Sequence, residues 1–301
     1  MKQNFIMRYS AHYRAFWSRA LIFLMVGLLS GCGAARLGYA NGETLSYWWL
    51  YRYVAFDGPQ QSMVKQRLDN LFTWHRTTQL TGYVQVLTSI QKRLQQNVST
   101  ADVKVDYDKI KAGMLVMVDR AAPELADLAL VLQPQQIVQM QKKLASNSES
   151  YRSDYLEGDA DERQRFRFNK ILDQAQYWFG DFSAEQAAHI RAASDARPLN
   201  NELWFAERVR RQQELIGILK KIQAEKPTRA AAAATLREYL IAGIERPVVH
   251  EQKAFFDASA ESTAQLTSII INLTTPAQKE HAMKKTQQWI DDFKALAAKA
   301  V

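Results

Sequence analysis

Phe182-Ser-Ala-Glu-Gln186 is the stretch that decides the fold of this 301-residue chain. A serine followed three residues later by a glutamine is typical of a capping box. The serine hydroxyl accepts a backbone N–H of the first helical turn, and the glutamine side chain bonds back to the serine N–H. Similar openings recur at Leu132-Gln-Pro-Gln-Gln136 and Leu273-Thr-Thr-Pro-Ala-Gln278. They predict that helices begin at three separate points of the chain.

These openings resemble the Leu-Thr-x-x-Gln openings of small periplasmic stress chaperones. The resemblance covers only a few residues, and ordinary helix capping is the preferred explanation because it produces the same pattern. A chaperone-like role, with an unfolded polypeptide as the partner, is the alternative that the resemblance implies. Such a role would require a concave apolar surface with a basic rim.

Between the openings, apolar residues recur at the 3.6-residue period of helices, and segments with strand-like alternation are nearly absent. We therefore predict an all-α protein, an irregular bundle of about ten helices after a signal peptide and a short tether. In the helix that begins at Ser99, Tyr107, Ile110 and Met114 are expected to face inward, and Pro123 is expected to kink or end it. The helical domain spans 43–301, and two packed halves could meet near 157–162.

The N-terminal segment is typical of a bacterial lipoprotein signal. Residues 1–19 contain four basic residues and no acidic one, and they are followed by the ten apolar residues Ala20 to Leu29. That run is too short to span a membrane as a helix, which needs about 20 residues, but it fits a signal peptide. The ending Leu29-Ser-Gly-Cys32 resembles a lipobox, which implies removal of residues 1–31 and lipidation of Cys32, the only cysteine. An uncleaved anchor or a buried free cysteine is the alternative.

This assignment predicts a protein attached to a membrane by its N-terminal lipid, with residues 32–42 as the lipidated N-terminus and tether. Gly33 stands where an aspartate would resemble an inner-membrane retention signal. We therefore expect the periplasmic face of the outer membrane, with the inner membrane as the less favoured alternative. Removal of residues 1–31 lowers the formal net charge from +8 to +4, because they hold four of 39 basic and none of 31 acidic side chains. The remaining charges alternate in sign, as in Asp161-Glu162-Arg163, which indicates a solvated surface and disfavours nucleic-acid binding.

No catalytic, phosphate-binding or metal-binding motif is complete, and we predict no cofactor and no metal. His250-Glu251 begins like a zincin motif, but Ala254 replaces the second histidine. Two polar groups on helices could form an anion-binding or acid–base patch where those helices meet, or a structural hydrogen-bond network, which is the preferred explanation. Their members are Trp74, His75, Arg76 and Gln79 in one group and Glu207, Arg208, Arg211 and Gln212 in the other, with Glu207 expected to pair with Arg211.

The aromatic block of Tyr47, Trp48, Trp49 and Tyr51 lies shortly after Cys32 in the chain. Trp and Tyr are favoured at lipid headgroups, so these side chains could be membrane-proximal. The preferred interpretation is a central helix, because it is apolar on nearly every side.

Most of the chain after the signal resembles an uncharacterised family of proteobacterial outer-membrane lipoproteins that carries a domain of unknown function. The resemblance supports the location and the helical fold but supplies no activity or catalytic residue. We therefore expect a binding or scaffold module for a protein or an envelope component rather than an enzyme. The alternative is an envelope hydrolase that uses the His75 and Arg208/Arg211 groups. The segments that carry the resemblance are Leu37-Gly-Tyr39, Tyr47-Trp-Trp-Leu50, Phe56-Asp57, Trp74-His-Arg76, Gln79-Leu80, Tyr83, Asn147, Tyr151-Arg152, Tyr155-Leu156, Glu207-Arg208 and Arg210-Arg-Gln212.

Overall fold

The computed structural model describes residues 34–245 and 250–298. Within these residues the chain forms twelve helices and no strand, which confirms the all-α prediction. The helices are α1 (Ala34–Ala40), α2 (Gly42–Val54), α3 (Gly58–Thr78), α4 (Leu80–Arg93), α5 (Thr100–Val131), α6 (Pro134–Leu156), α7 (Ala160–Phe179), α8 (Ala184–Asp195), α9 (Asn201–Glu225), α10 (Arg229–Glu245), α11 (His250–Leu273) and α12 (Pro276–Ala298).

The predicted capping boxes are present, and they also join helices to one another. Gln136 at the start of α6 accepts its own N-cap N–H and faces Gln60, which occupies the same position in α3. Each of the two amides donates to the side-chain oxygen of the other, at 3.0 and 2.6 Å. Gln60 of α3 also donates to the carbonyl of Val131, which lies just before α6. Gln136 of α6 donates to the carbonyl of Ala55, which lies just before α3. We call this pair the first amide junction.

The second amide junction has the same design. Gln186 of α8 and Gln278 of α12 each complete a capping box, and their amides bond to each other at 2.8 and 3.2 Å. Gln186 also donates to the Leu273 carbonyl, and Gln278 donates to the Asp181 carbonyl. The recurring glutamine therefore both caps a helix and holds a second helix end against it.

Two apolar cores accompany the two junctions. The first core is formed by α2, α3, α6, the C-terminal half of α5, α9 and α10. Its buried residues include Tyr47, Val54, Val64, Ala126, Ile137, Ile216, Ile222 and Leu236. The second core is formed by the end of α4 with α7, α8, α11 and α12, and its buried residues are Leu94, Ala175, Phe179, Ile190, Leu266, Ile270 and Ala282. Each core thus takes helices from both sides of residues 157–162, where α6 ends and α7 begins.

The long helix α5 connects the two regions. At about 1.5 Å per residue its 32 residues span roughly 48 Å. The helix α10 lies antiparallel against it, as the ion pairs Asp127–Arg229 and Asp119–Arg237 show. Pro123 does not end α5, which continues to Val131.

Before Ser99 the chain forms the helices α3 and α4, which meet at Gln79. Two local expectations need correction. Tyr107, Ile110 and Met114 are exposed and are not packed in the interior. Residues 34–40 of the predicted tether form helix α1, which is held to α12 by the Arg36–Asp292 ion pair.

Candidate functional site

A cavity of about 830 Å³ lies beside the second core, and we call it the α7 cavity. One face of α7 forms a wall, because its residues recur at intervals of three and four. A stripe of α11 forms another wall. The remaining lining comes from α4, α5, α12, the end of α6, the α8–α9 connection and the first turn of α9. The lining ranges from buried Leu266 and Ile270 to exposed Lys170, so the cavity opens to solvent.

One end of the α7 cavity is apolar. From α7 it is lined by Ile171, Ala175, Trp178 and Phe179, which continue into the second core. Ala282 and Thr286 of α12 also line this end. The side chains that face α7 here are leucines and isoleucines: Leu87, Ile90, Leu94, Leu266, Ile270 and Ile271. This volume is within the range of about 300–1,000 Å³ found for small-molecule sites.

The other end of the cavity is cationic. Arg163, Arg167 and Lys170 approach it from α7, and Arg197 approaches it from the α8–α9 connection. The described lining includes no Asp, Glu, His or Cys side chain. The cavity therefore offers positive charge and apolar surface, but no general base and no metal ligand set.

The hydrogen bonds of these cations differ in kind. Arg163 pairs with Glu202, with Nη1 and Oε1 2.6 Å apart. Arg167 donates instead to backbone carbonyls, those of Ser194 at 2.7 Å and Pro198 at 2.9 Å. Arg197 donates to the Thr263 hydroxyl at 2.7 Å and so bridges from the α8–α9 connection to α11. Arg167 and Arg197 are thus positioned by neutral oxygens.

Burial lowers the pKa of Arg167, and the positive charge of Arg197 lowers it further. Asp195 acts on Arg167 in the opposite direction. Burial also lowers the pKa of Arg197. Guanidinium groups nevertheless stay protonated in proteins, so two positive charges are held close together beside an apolar space.

The first polar group predicted from the sequence surrounds His75. Its Nδ1 lies 2.6 Å from the Tyr39 hydroxyl and its Nε2 lies 3.2 Å from the Tyr83 hydroxyl. Burial lowers the pKa of His75. Arg76 pairs with Glu43 at 3.3 Å. Trp74 lies under the Arg120 guanidinium, and Gln79 bonds to Thr78.

The second predicted group lies along α9. Glu207 pairs with Arg210, at 2.7 Å between Nε and Oε2, and not with Arg211 as expected. The hydrogen bonds that Arg210 donates to the Glu207 carboxylate raise the pKa of Arg210. Arg211 instead lies over the Tyr239 ring and against Gly243, where a side chain would collide with the guanidinium.

The remaining members of this group also have partners: Arg208 lies over the Tyr151 ring, and Gln212 accepts a hydrogen bond from Ser148 at 2.9 Å. The described chain shows no hydrogen bond, ion pair or ring contact between the His75 group and the α9 group. The two groups therefore do not form one shared patch by direct contact.

The aromatic block divides between the interior and the surface. Tyr47 is buried in the first core and Tyr51 is half-buried. Trp48 and Trp49 are 56% and 58% exposed, and Leu45 beside them is also exposed. The expectation of a central helix is therefore wrong, because α2 is covered on only one side although it is apolar on both.

Several predicted features are outside what the structure describes. Cys32 and the signal segment precede residue 34, and the side chains of His250 and Glu251 are not described. Within the described ranges, no helix is long and apolar enough to cross a membrane. In the same ranges no three His, Cys, Asp or Glu side chains are grouped so that they could hold a metal ion.

Sequence reasoning missed the α7 cavity. It interpreted Arg163 as part of a solvated surface. A signal was present, because Arg163, Arg167 and Lys170 share one face of α7 with Phe166 and Ile171. A helix face that mixes cations with large apolar residues indicates an amphiphilic site, yet the helices that complete it are distant in sequence.

A family model described as a family of unknown function, DUF6279, matches residues 52–242. No curated protein and no solved structure matches the chain.

Proposed function

We propose that this chain, which belongs to the DUF6279 family, is a lipid-anchored envelope protein that binds the apolar chain of a lipid-like molecule in the α7 cavity. The single observation that carries the proposal is an apolar cavity of about 830 Å³ that opens to solvent. Burial of hydrocarbon contributes about 0.8 kcal/mol per CH₂, so one chain enclosed there would be held firmly.

The dimensions of the cavity fit one acyl chain. On α7, Arg167 and Trp178 both line the cavity and are eleven residues apart, which corresponds to about 16 Å along the helix. Half of a hydrocarbon core of roughly 30 Å, the space of one acyl chain, is about 15 Å.

An extended polypeptide fits the apolar end less well than a hydrocarbon chain does. Every residue of such a client would bring a backbone N–H and a C=O, and each one buried without a partner costs about 1–3 kcal/mol. The lining of that end is dominated by Leu, Ile, Trp and Phe side chains, which cannot bond to those groups. The apolar concavity and its cations also match the surface expected of a chaperone, so an unfolded polypeptide is an alternative occupant for the experiment to exclude.

The hydrolase alternative has less geometric support. His75 bonds to two tyrosine hydroxyls and is not among the residues that line the α7 cavity. The lining itself supplies hydroxyl groups but no described carboxylate or imidazole that could activate them.

The proposed location is the periplasmic face of the outer membrane, with attachment through a lipid on Cys32. Helix α1 begins two residues after Cys32, so about 7 Å of chain at most separates the lipid from the fold. The exposed Trp48, Trp49 and Leu45 of α2 lie near this end of the chain, and tryptophan is favoured among lipid headgroups. We therefore propose that this face of α2 contacts the membrane surface.

Photocrosslinking tests the cavity. The full chain in phospholipid vesicles is irradiated with a neutral hexadecanol that carries a diazirine in its chain, and labelled peptides are mapped by mass spectrometry. We expect labels on the cavity-facing parts of α7 and α11. Thr267→Trp, which fills the cavity, should remove most of this labelling. The matched control is Thr235→Trp, because Thr235 and Thr267 both donate to the carbonyl four residues earlier but Thr235 does not line the cavity.

Absence of cavity labelling by the alcohol would contradict the proposal. If a diazirine-bearing unfolded polypeptide labels the same peptides while the alcohol does not, the chaperone alternative replaces it.

Two further measurements test the membrane attachment. Metabolic labelling with an alkyne fatty acid should mark the wild-type protein and not Cys32→Ser. In vesicles with brominated lipids, quenching of tryptophan fluorescence should fall in the double variant Trp48→Phe and Trp49→Phe. Trp289→Phe of α12 serves as the control and should be quenched as strongly as the wild type. Equal quenching in the double variant and in Trp289→Phe would contradict the proposed contact.

A further inference from the structure

We infer that the molecule bound in the α7 cavity has an anionic head, a carboxylate or a phosphate monoester, which Arg167 and Arg197 bind at the cationic end. The inference rests on the proposed function, because it specifies the chemical class of the chain-bearing molecule. It adds polarity and orientation: the head lies toward Arg167 and Arg197, and the chain extends toward Trp178 and Phe179.

Charge balance is the first argument. The described lining holds four cationic side chains and no carboxylate. Of these cations, Arg163 already has a carboxylate partner in Glu202. Arg167 and Arg197 bond to carbonyl and hydroxyl oxygens and form no ion pair among the described residues, and Asp195, whose charge acts on Arg167, is paired with Arg191. Charges that are partly removed from water usually have a partner of opposite sign, so an anion would complete this end of the cavity.

Available donors are the second argument. Among the described residues the Arg197 guanidinium donates to one acceptor, the Thr263 hydroxyl, which leaves other N–H groups of its fork without an acceptor. A guanidinium group presents five N–H donors in a fork that fits carboxylate and phosphate oxygens. The lowered pKa values of both arginines, caused first by burial, agree with charges that lack an anionic partner.

Position is the third argument. Arg197 reaches from the α8–α9 connection to Thr263 on the exposed face of α11, so its guanidinium lies toward the solvent side of the cavity. The apolar end continues into the buried residues Ala175, Phe179 and Ile270. A molecule with a charged head and one apolar chain would place each part against matching surface.

The same head chemistry could come from a free fatty acid, from a monoacyl phosphate or from an inorganic anion without a chain. Four diazirine probes with the same hydrocarbon chain distinguish the sources: hexadecanoic acid, hexadecyl phosphate, hexadecanol and hexadecyltrimethylammonium. The full chain in vesicles is labelled with each probe, with and without an excess of inorganic phosphate.

We expect the two anionic probes to label cavity peptides about tenfold more than the alcohol, which is the change that one charge-assisted hydrogen bond produces. The ammonium probe should label least. Inorganic phosphate should not displace the anionic probes, because it lacks the chain.

Arg197→Gln should reduce the preference for anions about tenfold while labelling by the alcohol remains. Arg237→Gln is the matched control, because Arg237 pairs with Asp119 on the surface away from the cavity. A second variant, Lys170→Gln, guards against misfolding at the arginine. Its control is Lys285→Gln, since each lysine lies over an aromatic ring and Lys285 does not line the cavity.

Equal labelling by the acid and the alcohol, or an unchanged preference in Arg197→Gln, would overturn the anionic head and leave the proposed function standing. Displacement by inorganic phosphate would show that the cationic end binds a free anion, and this too would overturn the inference. Failure of every probe would instead overturn the proposed function itself.

Discussion

The two amide junctions are built alike, yet the regions beside them differ. In both, the third residue of two helices is a glutamine that caps its own helix and bonds to the other glutamine. Beside the first core the cavities are smaller: about 560 Å³ between α6 and α9, about 500 Å³ between α2 and α3, and about 60 Å³ where Leu50, Met63, Leu125 and Leu128 meet. Beside the second, the α7 cavity measures about 830 Å³.

The difference shows that a junction of this kind fixes helix ends without deciding how well the helices pack farther along. In the first core, α2, α3, α9 and α10 cover the C-terminal half of α5 with interlocking apolar side chains. In the second region, α7 and α11 leave a space between them, and cationic side chains line one end of it. A solvent-open space of this size is within the range of small-molecule sites, which is the basis of the proposed binding role.

The largest expected difference between the regions concerns the loss of a buried side chain. Ile222 of α9 and Ile270 of α11 are 4% and 8% exposed, but only Ile270 lines the α7 cavity. Ile222→Ala should lower the free energy of unfolding by about 4 kcal/mol and Ile270→Ala by about 2 kcal/mol, because fewer packing contacts are lost beside an existing space. Urea unfolding followed by circular dichroism measures both. Equal losses would mean that the second region is as tightly packed as the first.

The next difference concerns the junctions themselves. Gln136→Leu removes the acceptor of the Gln133 N–H, the donor to the Ala55 carbonyl and both bonds to Gln60 in a buried setting, and it should cost about 2–3 kcal/mol of unfolding free energy. Gln186→Leu removes equivalent bonds, but Gln186 is half-buried, so water can replace part of them and about 1 kcal/mol is expected. Unfolding midpoints in urea give the comparison, and a costlier change at Gln186 would reverse it.

Replacing a small buried side chain by a larger one should also lower the free energy of unfolding by different amounts in the two regions, but this difference is smaller. Ala126 is fully buried in the first core, so Ala126→Leu should overpack it and cost about 2 kcal/mol. Ala175 lines the α7 cavity, and Ala175→Leu should cost less than about 1 kcal/mol because the side chain can extend into open space. The same unfolding experiment decides this. A large loss at Ala175 would show that the space is not available to a side chain, and therefore not to a ligand.

The smallest expected effect is on the pH dependence of stability, and it concerns His75 at the contact between α3 and α4, which connects the two regions. His75 of α3 bonds to Tyr83 of α4, and the far end of α4 packs in the second core. Because burial lowers the pKa of His75, the unfolded chain binds a proton more readily. The stability from neutral His75 is therefore present above the usual histidine pKa of about 6.5 and is lost as pH falls below it.

Urea midpoints between pH 7.5 and pH 5 should decline less steeply in His75→Gln than in the wild type. The groups around this ring are the Tyr39 and Tyr83 hydroxyls, with Arg76 next to it in the chain. An identical slope in both proteins would show that His75 does not carry the effect.

Sequence patterns located much of the fold and little of the site. The capping boxes at Ser183 and Thr275 and the opening at Pro134 begin helices where predicted. Further boxes of the same spacing at Asp57, Ser99 and Asp159 were not recognised. The exposure of Trp48 and Ile110 was missed because periodicity marks an apolar face without showing whether another helix covers it. Arg197 was missed because its role depends on Thr263, 66 residues away.

The sequence by itself determined where helices begin, because a capping bond joins residues three apart and forms whatever the rest of the chain does. It also determined that no strand forms in the described chain. Only the tertiary structure decided that Gln60 meets Gln136 across 76 residues and that Gln186 meets Gln278 across 92. It also decided that α7 and α11 leave a cavity, since packing depends on the shapes of helices brought together from distant parts of the chain.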